Sequence, residues 1–165
     1  MVRAMDITQW LSEFRELHER WRRGTLCAGD ATTYLGAREE LARALLSTQQ
    51  RSPNPGEPAR RSLRVARALQ VTLDTADQQL RAMTVDLSSG GFSALLARPP
   101  PQDGEMKCTL RLPGSEPLDA AVTVASAKQQ PGNVRVDFEF RRLSGEERDR
   151  LEGVVFDTVL SQLAR

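Results

Sequence analysis

A chain of 165 residues, 39% hydrophobic and 27% charged, has room for one domain, or for a small domain with an appendage, and its composition is that of a soluble globular protein. Its net charge of +1 excludes a nucleic-acid binder working by bulk electrostatics, so no DNA or RNA partner is expected. No apolar stretch reaches the length that spans a bilayer, which excludes membrane insertion through a helix.

Lys107 and Lys128 are the only lysines, so the basic character is almost all arginine. Cys27, Cys108 and the single His18 lie far apart in sequence. They offer no metal-ligand spacing, so neither metal nor cofactor is expected. The cysteines read as two buried thiols in a reducing compartment. Residues 1–6 have no apolar core of signal-peptide length, and a cytoplasmic protein is the default expectation.

Asp6 to Arg23 has helical periodicity. Asp6 suits the N-cap and Gln9 stands three residues on, the spacing of a capping box. Ile7, Trp10, Leu11, Phe14, Leu17 and Trp21 form one apolar stripe, and Gly24 suits the C-terminal stop. His18 reads as a solvated residue of this helix. Asp30 can cap a second helix over about 31–50, with Tyr34, Leu35, the stem of Arg38, Leu41, Ala42, Leu45 and Leu46 as its stripe. Together the two predict an antiparallel hairpin over 1–50. A two-helix hairpin buries little by itself, so its stripes should pack on the next domain or, in a homodimer, on a second copy. Residues 51–59 hold three prolines and predict a linker and domain boundary.

From Arg64 the period changes to 2. Val65, Leu69, Val71 and Leu73 form a first strand, and Met83, Val85 and Leu87 supply the apolar face of a second. Phe92 to Leu96 is a third. Met106, Cys108, Leu110 and Leu112 alternate with polar neighbours, as do Leu118, Ala120, Val122 and Val124, and then Val134, Val136, Phe138 and Phe140. Six short strands uninterrupted by helical pattern predict a small antiparallel barrel or sandwich. Ser144 and Glu147 form a capping box for a last helix to about Ala164, with Leu151, Val155, Val159, Leu160 and Leu163 along it. Its breadth of apolar residues makes it the expected packing partner of the N-terminal hairpin.

Two short spacings stand at the ends of the 60–91 stretch. Arg60-Arg61-Ser62-Leu63-Arg64 reads RxxxR, and Asp86-Leu87-Ser88-Ser89-Gly90-Gly91 reads DxSxxG. At this arginine content about 2.7 RxxxR matches arise by chance, whereas DxSxxG is expected only roughly 0.04 times, so the second carries the information. In this order, either side of a strand pair on a six-stranded pattern, they resemble the PilZ family of cyclic di-GMP receptors. The resemblance covers roughly 60–160 and leaves the hairpin outside. It implies an α+β chain: an N-terminal helical hairpin over 1–50, a linker over 51–59, and over 60–165 a six-stranded antiparallel PilZ-type barrel with a C-terminal helix.

It also implies a function without catalysis. Cyclic di-GMP carries two phosphates and two guanines. Arginine can donate two parallel bonds to guanine O6 and N7 or to a phosphate, and can stack on a base. The resemblance gives those roles to Arg60, Arg61 and Arg64. Asp86 would accept from the guanine N1–H and N2–H edge, Ser88 would offer a hydroxyl, and Gly90 and Gly91 would supply the turn. The receptor would pass ligand binding to an unidentified protein partner by a conformational change. The alternative is a degenerate PilZ adaptor that binds proteins without nucleotide. It is suggested by Asp137 in Val136-Asp137-Phe138-Glu139-Phe140, at a position where the family often has glycine. No catalytic arrangement accompanies His18, so the chain is not expected to be an enzyme.

Overall fold

A computed structural model describes residues 6–50, 62–101 and 104–163, without the side chains of 48–50. The linker expected over 51–59, and with it Arg60 and Arg61, lies outside the described residues. The chain divides into two compact units, residues 1–61 and 62–165. No helix of the described residues is long and apolar enough to cross a membrane.

The first unit is a helical hairpin of α1 (Ile7–Arg22) and α2 (Ala28–Gln50). Asp6 caps α1 by accepting from the Thr8 N–H at 3.1 Å. The other half of the expected capping box is not formed, because the Gln9 amide reaches forward to Glu13 instead. Gly24 takes φ +68°, the left-handed conformation that ends α1. α2 begins three residues earlier than Asp30 suggested: the Ala31 N–H already bonds the Cys27 carbonyl. Asp30 therefore sits inside the first turn, near the positive end of the helix, and pairs with Arg20 of α1 at 2.8 Å.

Two side chains of this unit differ from expectation. Cys27 is exposed, whereas Cys108 is buried and its burial pushes the thiol up to about 12. His18 is buried, and its Nδ1 lies 2.7 Å from the Tyr34 hydroxyl. It belongs to an aromatic stack with Phe14, Trp21 and Tyr34. A short two-helix unit has few aliphatic positions to bury, and an imidazole with a hydroxyl partner can join the apolar side without leaving a polar atom unpaired.

The second unit contains β1 (Val65–Ala66), β2 (Gln70–Asp74), β3 (Gln79–Leu87), β4 (Gly91–Leu96), β5 (Met106–Leu110), β6 (Leu118–Gln130), β7 (Asn133–Arg141) and α3 (Gly145–Leu163). Six strands close an antiparallel barrel in the order β3-β2-β5-β6-β7-β4, with β4 pairing back onto β3. β1 is a short addition to the end of β3. Inward residues alternate as the sequence predicts on β2, β5, β6 and β7, β4 is buried along most of its length, and Phe92 stacks on Phe138 and tilts against Phe140 in the interior. Ser144 and Glu147 exchange both bonds of their capping box at the start of α3.

The expected first strand, Val65 to Leu73, is broken into β1 and β2. At the break the buried Thr84 hydroxyl accepts from the Leu69 N–H at 2.8 Å and donates to the Arg67 carbonyl at 2.5 Å, supplying the partners that the ladder loses there. The alternation on β3 also differs. Met83 is 47% exposed and Thr84 is buried, so the inward set is Leu80, Ala82 and Thr84, followed by Leu87. The cause is a β-bulge: Thr84 pairs with Ala94 but Asp86 pairs with Ser93, leaving Val85 as the extra residue. In a ladder continued regularly from Thr84, Asp86 would face the core; the bulge turns it out, onto the face that the expected alternation of Val85 and Leu87 implied.

Candidate functional site

A second bulge, between Val124 and Ser126 of β6, shifts register against β7 and turns Ser126 to the outer face opposite Asp137. The two bulges complete one row across four strands: Asp86 on β3 opposes Ser93 on β4, Ser93 opposes Asp137 on β7, and Asp137 opposes Ser126 on β6. Directly opposed side chains in a sheet lie close enough to bond, and these do. The Ser93 N–H donates to Asp86 Oδ1 at 3.1 Å. The Ser93 hydroxyl donates to Asp137 Oδ1, and the Ser126 hydroxyl to Asp137 Oδ2 at 2.8 Å.

Two arginines close over this row. Arg64, immediately before β1, donates from Nη1 to Asp86 Oδ1 at 3.1 Å and to the Ser93 hydroxyl at 3.0 Å. Arg135 of β7 reaches Asp86 Oδ2 from the other side at 3.0 Å. Asp86 thus holds two guanidinium groups and one backbone N–H, and its side chain keeps only 13% of its surface exposed. Asp137 is more open. Burial by itself would raise its carboxyl, but the Ser93 and Ser126 hydroxyls and the nearby Arg64 and Arg135 outweigh that and hold it below the ordinary carboxylate range.

The Ser88 to Gly91 turn is built from within. The Ser88 hydroxyl accepts from the Gly90 and Gly91 N–H groups, both at 3.1 Å, and donates to the Gly91 carbonyl at 3.2 Å, while the Ser88 N–H bonds the same carbonyl at 2.8 Å. Buried as it is, this hydroxyl shapes the turn. Gly91 is required by β7: a Cβ there would lie 2.0 Å from the Phe138 carbonyl oxygen. At Gly90 the close neighbour of a Cβ would be the Ser62 hydroxyl, at 2.9 Å, a group that can rotate away, with the Ser88 hydroxyl at an ordinary 3.7 Å. The Gly90 carbonyl accepts from the Phe140 N–H at 3.0 Å.

Of the residues singled out from sequence, then, Arg64 and Asp86 meet directly, Ser88, Gly90 and Gly91 form the adjoining turn, and Arg60 and Arg61 lie outside the described residues. Sequence reasoning did not assign Ser93, Ser126 or Arg135 to the site, and took Asp137 only as a departure from the family pattern. The one signal available was that Arg135 and Asp137 fall on the outward face of the last strand, as the alternation already implied. Chemically, the site presents guanidinium donors and carboxylate acceptors side by side on a rigid sheet, a combination suited to phosphate and to the edge of a base.

Comparison with known proteins gives a consistent picture. The PilZ domain family model matches residues 58–157. Among solved structures, the chain is similar to the motility inhibitor MotI/DgrA of Bacillus subtilis (TM-score 0.56, 16% identity, covering 68% of this chain and 57% of that one). It is similar to the PilZ domain of YcgR from Escherichia coli, solved with c-di-GMP (TM-score 0.55, 19% identity, covering 64% of this chain and 95% of that domain). It is also similar to the MrkH–c-di-GMP complex of K. pneumonia (TM-score 0.55, 16% identity, covering 66% and 56%). The chain thus spans a little over half of MotI and of MrkH. At these identities the likeness is one of fold. No curated protein matches the chain.

Proposed function

The chain belongs to the PilZ domain family, and from that premise we propose that it is a receptor for cyclic di-GMP that signals to a protein partner by a change in conformation. The observation that carries this reading is the ion pair between Arg64 and Asp86, which brings the two separate sequence motifs to within 3.1 Å across 22 residues of chain. On this reading Arg64, with Arg60 and Arg61 ahead of it, addresses phosphate and guanine. Asp86 accepts from the guanine N–H edge once a ligand draws an arginine away. Ser88, Gly90 and Gly91 hold the turn that places Asp86 beside the ligand. Two of the similar structures, the YcgR PilZ domain and MrkH, were solved with c-di-GMP, and this supports the choice of ligand. The chemistry is recognition by guanidinium donors and an ionised acceptor.

Isothermal titration of cyclic di-GMP into the full chain tests the reading, alongside Arg64→Ala and Asp86→Ala. Saturable heat from the wild-type protein, lost in both variants, is the expected result. A folded wild-type protein that takes up no nucleotide at micromolar concentration would sink the receptor reading, leaving an adaptor that binds proteins without nucleotide.

A further inference from the structure

Asp137 belongs to neither motif, yet it shares the central arginine. Its Oδ1 lies 3.8 Å from Arg64 Nη1 and accepts from the Ser93 hydroxyl, the same hydroxyl that accepts from Arg64. Its Oδ2 is held by Ser126 at 2.8 Å, so the carboxylate is braced from β6 and does not swing freely to solvent. Any acceptor that addresses Arg64 Nη1 must therefore compete with three oxygens already around it: Asp86 Oδ1, Ser93 Oγ and Asp137 Oδ1. The charges matter as much as the contacts. Arg64 and Arg135 carry two positive charges and Asp86 and Asp137 two negative ones, so these four side chains sum to zero. A diester with two phosphates meets no net attraction from them.

Resting on the receptor reading above, we propose that Asp137 is a built-in competitor for the messenger: it latches Arg64 in the ligand-free protein and cancels the positive charge of the site, and so sets the affinity of the receptor. Asp86 holds Arg64 more closely, at 3.1 Å, but on the receptor reading it is itself a ligand group and so not solely a competitor. It is the more buried carboxylate and has an N–H partner in the sheet, whereas the Asp137 side chain is 37% exposed. An acid placed there repels an anionic ligand at close range, through solvent that screens it incompletely.

The test is the same titration on full-length Asp137→Asn, which keeps the shape and an acceptor oxygen for Ser93 but removes the charge. Asp137→Ser serves as a second neutral variant should the first fold poorly. Cyclic di-GMP is expected to bind the variant on the order of fivefold more tightly at low salt, an advantage that shrinks as salt rises. Unchanged or weaker binding would overturn the proposal, since it would make Asp137 a bystander or a direct ligand group. A second readout needs no nucleotide: trypsin cleavage after Arg64, mapped by mass spectrometry in the ligand-free protein against the exposed Arg23, which precedes Gly24, as internal control. The latch predicts faster cutting at Arg64 in the variant with no change at Arg23. If neither protein binds nucleotide, the receptor reading fails, and the latch stands or falls on that cut alone.

Discussion

At the scale of single residues, the site depends on contacts too close to admit ordinary side chains. Gly91 opens β4 where the β7 backbone crosses it, and the Phe138 carbonyl oxygen occupies the place a Cβ would take. Because the obstacle is main chain inside a closed barrel, no rotamer relieves it and the strands themselves must separate. Gly91→Ala is expected to cost about 3 kcal/mol of stability, read as a lower urea midpoint, and to weaken nucleotide binding by displacing the turn beside Asp86. An unchanged midpoint would show that β7 yields without cost. The contrast with Gly90 is instructive. Both glycines lie in the DxSxxG stretch, but only Gly91 is a motif position and only Gly91 faces backbone, so its identity is fixed by packing as well as by any ligand.

At the scale of elements, two one-residue bulges do what no side chain could. Val85 in β3 and Ala125 in β6 each add one residue to one strand of a pair. A shift of one reverses which residues face out. Asp86 and Ser126 join the outer row only because of these insertions. The β3 bulge is accompanied by Thr84, whose hydroxyl joins the Leu69 N–H and the Arg67 carbonyl across the break between β1 and β2. Thr84→Val keeps the shape but leaves both backbone groups short of a partner. It is expected to destabilise the protein by about 2 kcal/mol, with a matching drop in urea midpoint. No loss would mean that water or a relaxed ladder replaces the hydroxyl.

For the whole molecule, the two units are built on different principles. Every strand pairing of the barrel falls within residues 62–165, and ring closure leaves none of its six strands as an open edge. The hairpin of α1 and α2 relies on a small aromatic cluster around Phe14, His18 and Tyr34, little for a two-helix unit to stand on. A chain starting at residue 51 is therefore expected to unfold cooperatively and still to titrate with nucleotide. A peptide of residues 1–50 should by itself show much reduced helicity by circular dichroism. A barrel fragment without a cooperative transition would refute this division of labour.

The sequence by itself determined the elements and the two motif halves. Stripes at helical spacing located α1 and α3 to within a residue or two, and alternation located β5, β6 and β7, because burial on one face is a local property of the pattern; it ran β1 and β2 together. Arg64 and Asp86 were legible as a pair because their spacings are rare enough together to stand out. Tertiary structure decided the rest. The burial of His18 follows from Tyr34 arriving 16 residues later. The exposure of Met83 follows from a single bulge, which changes the register of β3 and not its composition. Arg135 reaches Asp86 across 49 residues, and Asp137 reaches Ser93 across 44, because β4 pairs with β7 when the barrel closes. Closure is a non-local event: no stretch of sequence announces which distant strand will complete the ring, and the site lies across that seam.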